Sequence, residues 1–228
     1  MKLGRIVELS HRMVPGKEIF KLEVHNFPVE ELLPQIRRRE DLWYIMSDVT
    51  MSSHAGTHIE FPFHHLRDGT DAADFPVERL IGDAVLLDLS GVPSQEAIPK
   101  TALEVQAEVI HEHDIVIVRT GLDRLFHTDR WMEQPYLAPD ALEWLIEEKK
   151  MRCLGTDAAG LDNLGTDHQP NHMMLFQHGV PLIESMTNLS QLAHQRFQIF
   201  ILPLPIEGLD ACPVRIVAIE PNTGEGDQ

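Results

Sequence analysis

Four ligand-type side chains, His54, His58, Glu60 and His64, fall within eleven positions of the stretch SHAGTHIEFPFHH, residues 53–65. All four occupy even positions, together with Gly56 and Pro62, while Ala55, Thr57, Ile59, Phe61 and Phe63 occupy the odd ones. A period of two belongs to extended backbone, so three imidazoles and a carboxylate are expected on one face and an apolar or β-branched row on the other. A helix is disfavoured there, because Gly56 and Thr57 are weak helix formers and Pro62 has no N–H for the ladder. The expectation is a strand that frays into a loop at Pro62, with Phe61 and Phe63 turned to the core.

Imidazole nitrogen and carboxylate oxygen suit zinc, manganese or ferrous iron, and no cysteine stands nearby to argue for a thiolate site. His54, His58 and Glu60 could supply three ligands to one ion and leave it an open position, which makes catalysis possible; the plainer alternative is a histidine-rich surface loop that only satisfies hydrogen bonds. A divalent ion lowers the pKa of bound water from about 15.7 toward 7, making hydroxide available at neutral pH. His64, just beyond those ligands on the same face, is an imidazole able either to exchange a proton or to serve as a further ligand.

The elements that must position this stretch alternate along the chain. Strands are expected at residues 5–10, 45–52, 84–89, 114–120, 153–155, 180–184, 197–204 and 214–219, and Phe20, Leu22 and Val24 alternate as a strand would. Residues 99–113 read as a helix with a capping box at Thr101 and Glu104, and residues 139–150 as a second helix with Leu142, Leu145 and Ile146 at helical spacing. Shorter helical pieces are expected at 29–39, 172–176 and 187–194. The alternation implies one mixed α/β domain over residues 1–220, followed by a polar tail, residues 221–228.

Composition narrows the function. With 36 acidic against 19 basic residues the formal net charge is −17, and no basic patch is visible to meet phosphates, so nucleic acid and anionic membrane surfaces are not expected partners. Two cysteines, Cys153 and Cys212, are too few for a disulfide framework, and residues 1–10 carry no apolar leader core, so a cytoplasmic, reducing location is expected. No apolar run approaches the length of a membrane span.

The stretch HAGTHIEFPFH resembles the His-x-Gly-Thr-His-x-Asp-x-Pro-x-His signature of the cyclase family, metal-dependent hydrolases that include bacterial kynurenine formamidase and isatin hydrolase. ELSH at residues 8–11, GDAVLLDLSG, DIVIVRTG, LGTDAAGLDN and HMMLFQHGVPLIESMTNLSQL follow in the family's order, so the resemblance spans most of the chain. It implies a swivelling β/β/α fold, a mixed sheet flanked by helices, in a homo-oligomer, dimer or tetramer, whose neighbours can line the pocket. It also implies that His54, His58 and Glu60 are metal ligands, that His172 and Glu184 complete the metal site, and that His64 transfers protons. One departure stands out: the family's aspartate is Glu60, whose extra methylene moves the carboxylate by roughly one bond length. That leaves open whether one ion or two are held, zinc first among the candidates, with manganese or iron as alternatives.

The activity so implied is hydrolysis of a carbon–nitrogen bond in a small molecule, an aryl formamide or cyclic amide first. A cyclase or dehydratase using the same ion without net hydrolysis, and a metal-binding protein without catalysis, are the alternatives. Other polar groups read as structural: His111 and His113 at a helix C-terminus, His65 exposed opposite His64, and Asp157 and Asp162 serving turns. His168 and His178 are weaker candidates for the pocket wall, and Ser10–His11 lacks the partners of a serine triad.

Overall fold

In the computed structural model, which describes residues 4–221, the strands expected at both ends of the chain meet in one sheet. In chain order the strands are β1 (Arg5–Glu8), β2 (Leu22–Pro28), β3 (Ile45–Met51), β4 (His58–Glu60) and β5 (Ile81–Asp88). They continue as β6 (Ala97–Ile98), β7 (Ile115–Arg119), β8 (Tyr136–Leu137), β9 (Cys153–Thr156) and β10 (Leu182–Glu184). The chain closes with β11 (Arg196–Ile201), β12 (Ala211–Pro213) and β13 (Ile216–Glu220). Nine of them form a mixed sheet in the order β1-β13-β11-β5-β7-β9-β10-β4-β12, with β5, β7, β9 and β10 parallel and the flanking pairs antiparallel.

Alternation along the parallel strands divides two cores. Ala84, Leu86, Ile115 and Ile117 face one way and join Ile59, Phe61, Ile183, Ile199 and Ile216, residues from strands across the whole sheet, so this face curls around its own side chains. Val85, Leu87, Val116 and Val118 face the other way, against the helices. Those are α2 (Lys100–Glu104), α3 (Pro139–Glu147) and α4 (Pro170–Gln177), while α1 (Val29–Leu32) is a single turn beyond β2. The mixed sheet is thus flanked by helices on one face and closed by its own curl on the other. At about 25 cal/mol per Å² of apolar surface removed from water, both buried layers favour this arrangement.

Three local expectations differ from the structure. The helix expected over 99–113 stops after Glu104, and Pro99 precedes it with no side-chain cap, so the Thr101/Glu104 box does not form. His111 and His113 therefore lie beyond a 3-10 turn, Ala107–Val109, in the loop before β7, His113 with φ of 67°. The strand at 45–52 pairs only with β2, as a two-stranded ribbon outside the main sheet, and does not run directly into the histidine stretch. The polar tail lies, from residue 222 onward, outside the described residues.

Candidate metal centre

The extended face expected for residues 54–64 survives only over β4. His58 and Glu60 do project to the same side, both buried, with Ile59 in the core behind them. His54 sits instead in a turn before the strand, and His64 in a 3-10 turn, Pro62–His64, after it. Gly56 makes the first turn possible: its φ is +66°, and a Cβ there would lie 2.7 Å from the Met13 side chain. Thr57 anchors the same turn by donating to Ser185 O and accepting from His11 N. Pro62 opens the second turn at its N1 position, where the missing N–H costs nothing.

Strand pairing brings in the distant residues. Antiparallel β10 places Glu184 opposite His58 and Leu182 opposite Glu60, while α4 presents His172 to the same space. Glu184 Oε1 lies 3.1 Å from His172 Nε2, and Glu184 Oε2 lies 3.5 Å from His58 Nε2. Glu60 Oε1 is 2.9 Å from His54 Nδ1, and Glu60 Oε2 is 3.6 Å from His172 Nε2. All five expected ligand residues are therefore brought together, and His64 joins them, its Nε2 4.0 Å from Glu60 Oε1. Three donor sets each have one atom per residue within 4.8 Å of the others: His54–His64–Asp210, and the pair His54–His58–Glu60 and Glu60–His172–Glu184. Glu60 belongs to both members of the pair.

These residues fit a divalent cation. Glu60 Oε2 is buried without a hydrogen-bond partner, and among the described residues no Lys or Arg lines the cavity that holds the two carboxylates. His58 and His172 turn Nε2 inward while Nδ1 meets an acceptor outside, Gly56 O at 2.9 Å and Asp162 Oδ2 at 2.5 Å, the arrangement that fixes a ligating imidazole.

The electrostatics agree. Burial disfavours a charged imidazole at His54, yet Glu60 and Asp210 raise its pKa to about 9. At His172 burial is likewise outweighed, by Asp162 and Glu184, and its pKa is raised to about 10. Burial opposes ionisation of Glu60 too, but hydrogen bonds from His54 and His58 hold it well below the carboxylate range, whereas burial and the charge of Glu60 push Glu184 up. Paired carboxylates that draw positive charge this strongly suit a cation.

Several positions at the cluster escaped the sequence. Asp162, read as a turn residue, also accepts from the N–H groups of Asn171 and His172, tying the first turn of α4 to the ring of His172. Asp210, 146 residues from His64, contacts both His64 and His54 at 3.0 Å. His65 is not simply exposed: its ring stacks on His172 at 5.6 Å between centroids and meets Phe176 edge-on. Phe20, Trp131, Met132 and Gln169 line the cavity, of about 300 Å³, beside the ligand cluster. None carried a local signal for a site: Phe20 read only as part of a strand, Trp131 and Met132 lie in a 3-10 turn, Asp129–Met132, and Gln169 precedes α4. His168 and His178 are absent from that lining, and His178 pairs with Glu147 on the surface. Ser10 donates to Val214 O and His11 stacks on Phe126, so neither forms a nucleophile–base pair.

A curled mixed sheet with a buried histidine–carboxylate cluster on adjacent antiparallel strands defines a metal-centre protein of α/β class. Residues 7–163 match the Cyclase family model, and the chain belongs to that family. It is 32% identical over 170 residues to a kynurenine formamidase of Bacillus cereus, covering 74% of this chain and 77% of the relative. Among solved structures it is similar to isatin hydrolase A from Ralstonia solanacearum, with a TM-score of 0.82 at 20% identity over 95% of this chain and 92% of that one. A structure titled as a potential metal-dependent hydrolase with cyclase activity gives a TM-score of 0.75 at 25% identity, covering 96% and 98%. Among the described residues no helix is long and apolar enough to cross a membrane.

Proposed function

We propose that this chain is a metal-dependent hydrolase of a carbon–nitrogen bond in a small molecule, arylformamidase-like, with an aryl formamide or cyclic amide as the substrate class. The observation that carries the reading is the position of Glu60, one carboxylate shared by two donor sets, with its second oxygen buried and unpartnered. The kynurenine formamidase relative and the isatin hydrolase fold support the choice of bond.

His54, His58 and Glu60 would hold one ion and Glu60, His172 and Glu184 a second, zinc first, with manganese or ferrous iron as alternatives. Such an ion, when bound, supplies Lewis acidity to a carbonyl and lowers the pKa of water at the site. His64 Nε2 faces the cluster, where it takes a proton from water and returns it to the departing nitrogen. Phe20, Trp131 and Met132 give the cavity one apolar wall, and its volume of about 300 Å³ admits a single aromatic ring with a small acyl group.

A homo-oligomer, dimer or tetramer, and a cytoplasmic location complete the reading. The β2–β3 ribbon supports the first: an isolated two-stranded ribbon is marginal in water, and this region leaves Trp43 80% exposed and Val49 56% exposed. Two buried free cysteines, Cys153 and Cys212, accord with a reducing compartment.

The test is metal per chain by elemental analysis on wild type and Glu60→Asp, paired with turnover of an aryl formamide panel. About two ions per chain with turnover in the wild type is the expected result. No metal in either protein would overturn the proposal.

A further inference from the structure

Asp210 precedes β12, whose Ala211 pairs with Glu60 in register. Its backbone carbonyl accepts from Phe61 N at 2.9 Å, which fixes the residue against the end of β4. From there a single carboxylate oxygen, Oδ2, lies 3.0 Å from His54 Nε2 and 3.0 Å from His64 Nδ1. The two rings lean together, with centroids 4.6 Å apart. An ionised carboxylate only accepts hydrogen bonds, so each of those two nitrogens must carry its proton toward Asp210.

That assignment has consequences at the other end of each ring. His54 with its proton on Nε2 leaves Nδ1, 2.9 Å from Glu60 Oε1 and 3.2 Å from His58 Nε2, free to coordinate. His64 with its proton on Nδ1 leaves Nε2, the atom that faces Glu60, free to accept a proton. His58 and His172 obtain the same service from separate acceptors, Gly56 O and Asp162. Asp210 differs in holding a candidate ligand and the proton-transfer residue with one atom.

We propose that Asp210 is a positioning residue that sets the tautomers of His54 and His64 together, coupling ion binding at His54 Nδ1 to proton acceptance at His64 Nε2. This rests on the hydrolase reading above for the meaning of the two free nitrogens. A plain surface carboxylate attracted to neighbouring imidazoles would explain one 3.0 Å contact; it does not explain both rings turning their outward nitrogens to the same oxygen. The side chain is 34% exposed, so the effect is one of orientation more than of buried charge.

The experiment uses the 228-residue chain as wild type, Asp210→Ala and Asp210→Asn, loaded with zinc. Long-range proton–nitrogen NMR correlations of the histidine rings report tautomers, a chelator competition reports zinc affinity, and steady-state kinetics report kcat and KM. In Asp210→Ala the His64 ring is expected to shift toward the Nε2-protonated form that free histidine favours. Zinc affinity should fall about 10–100-fold and kcat by a similar factor, while KM stays within about twofold. Asp210→Asn retains an acceptor of the same size without the charge, and its losses should be intermediate; it carries the test if the alanine variant fails to fold.

Unchanged His64 tautomer and zinc affinity in the folded variant would overturn the proposal. The NMR and affinity arms need no substrate. If wild type binds zinc yet turns over no amide, the hydrolase reading fails while these arms still decide the role of Asp210.

Discussion

Glu60, His172 and Glu184 lie behind His54, His64 and Asp210, and the two groups share their chemistry but not their exposure. Side chains of the inner three are 4%, 3% and 7% exposed, against 18%, 26% and 34% for the outer three. The inner residues stand on β4, β10 and the first turn of α4; the outer ones stand on turns. Charged groups taken out of water are tolerated only with fixed partners, so the inner set has to be rigid. A group that trades protons with water needs access to it. Under the proposed function the difference sets two tasks apart: burial suits a cage for positive charge and partial exposure suits a route for a proton, with His54, a proposed ligand, at the seam between them.

The sharpest attack on that division is His64→Ala. It should lower kcat by about 10²–10⁴-fold while metal per chain by elemental analysis stays at the wild-type value. Metal loss in step with activity would make His64 a ligand and dissolve the distinction between the two groups. On the inner side, Asp162→Asn removes the charge that orients His172 and should weaken zinc binding about 10–100-fold in a chelator competition. Unchanged affinity would mean that strand and helix geometry alone hold the ring.

Chelation compares the groups through stability. Zinc at about 100 times its Kd stabilises the fold by about 2.7 kcal/mol, and in a chain of this size each kcal/mol shifts Tm by about 2–4 °C. Stripping the metal should therefore lower Tm by about 5–10 °C for each ion held, equally in wild type and in His64→Ala, whereas His172→Ala, which spares only the His54–His58–Glu60 set, should lose about half of that shift. A full shift retained in His172→Ala would remove that residue from the cage.

The smallest effect concerns a half-buried imidazole outside both groups. His11 stacks on Phe126 with its Nε2 unpartnered, and burial, only partly offset by the field of Asp123, lowers its pKa to about 4. A folded value below the ordinary 6.5 means that the unfolded chain binds the proton more tightly. His11 therefore adds stability above about pH 6.5 that is lost as pH falls toward 4. His11→Phe keeps the stack and should flatten the decline in Tm over that window. An unaltered profile would assign the acid sensitivity to other groups. The contrast with His172, raised to about 10 between two carboxylates, shows that partners rather than burial decide an imidazole's charge here.

Much of the framework was legible. β5 and β7 announce themselves as apolar runs buried on both faces, and α3 by its periodic Leu142, Leu145 and Ile146. The helix expected over 99–113 shows the limit: Thr101 and Glu104 match a capping box, yet Pro99 stands at the start and the helix ends after Glu104. The period of two across residues 54–64 put the right side chains in one place for a partly wrong reason. Only His58 and Glu60 owe their shared side to a strand, while His54 and His64 reach it through turns governed by Gly56 and Pro62.

What the sequence determined by itself is local: the donor types and close spacing of His54, His58, Glu60 and His64, and the strands that alternate around them. His172 and Glu184 could be named only through the family resemblance, and Asp162 and Asp210 not as site residues at all. Their positions depend on pairings between segments far apart in the chain, β10 and β12 on either side of β4 and α4 across its mouth. Spacing within a segment says nothing about which segments become neighbours. Only the sheet register could place Glu184 opposite His58, or set the residue before Ala211 where one carboxylate oxygen meets two imidazoles.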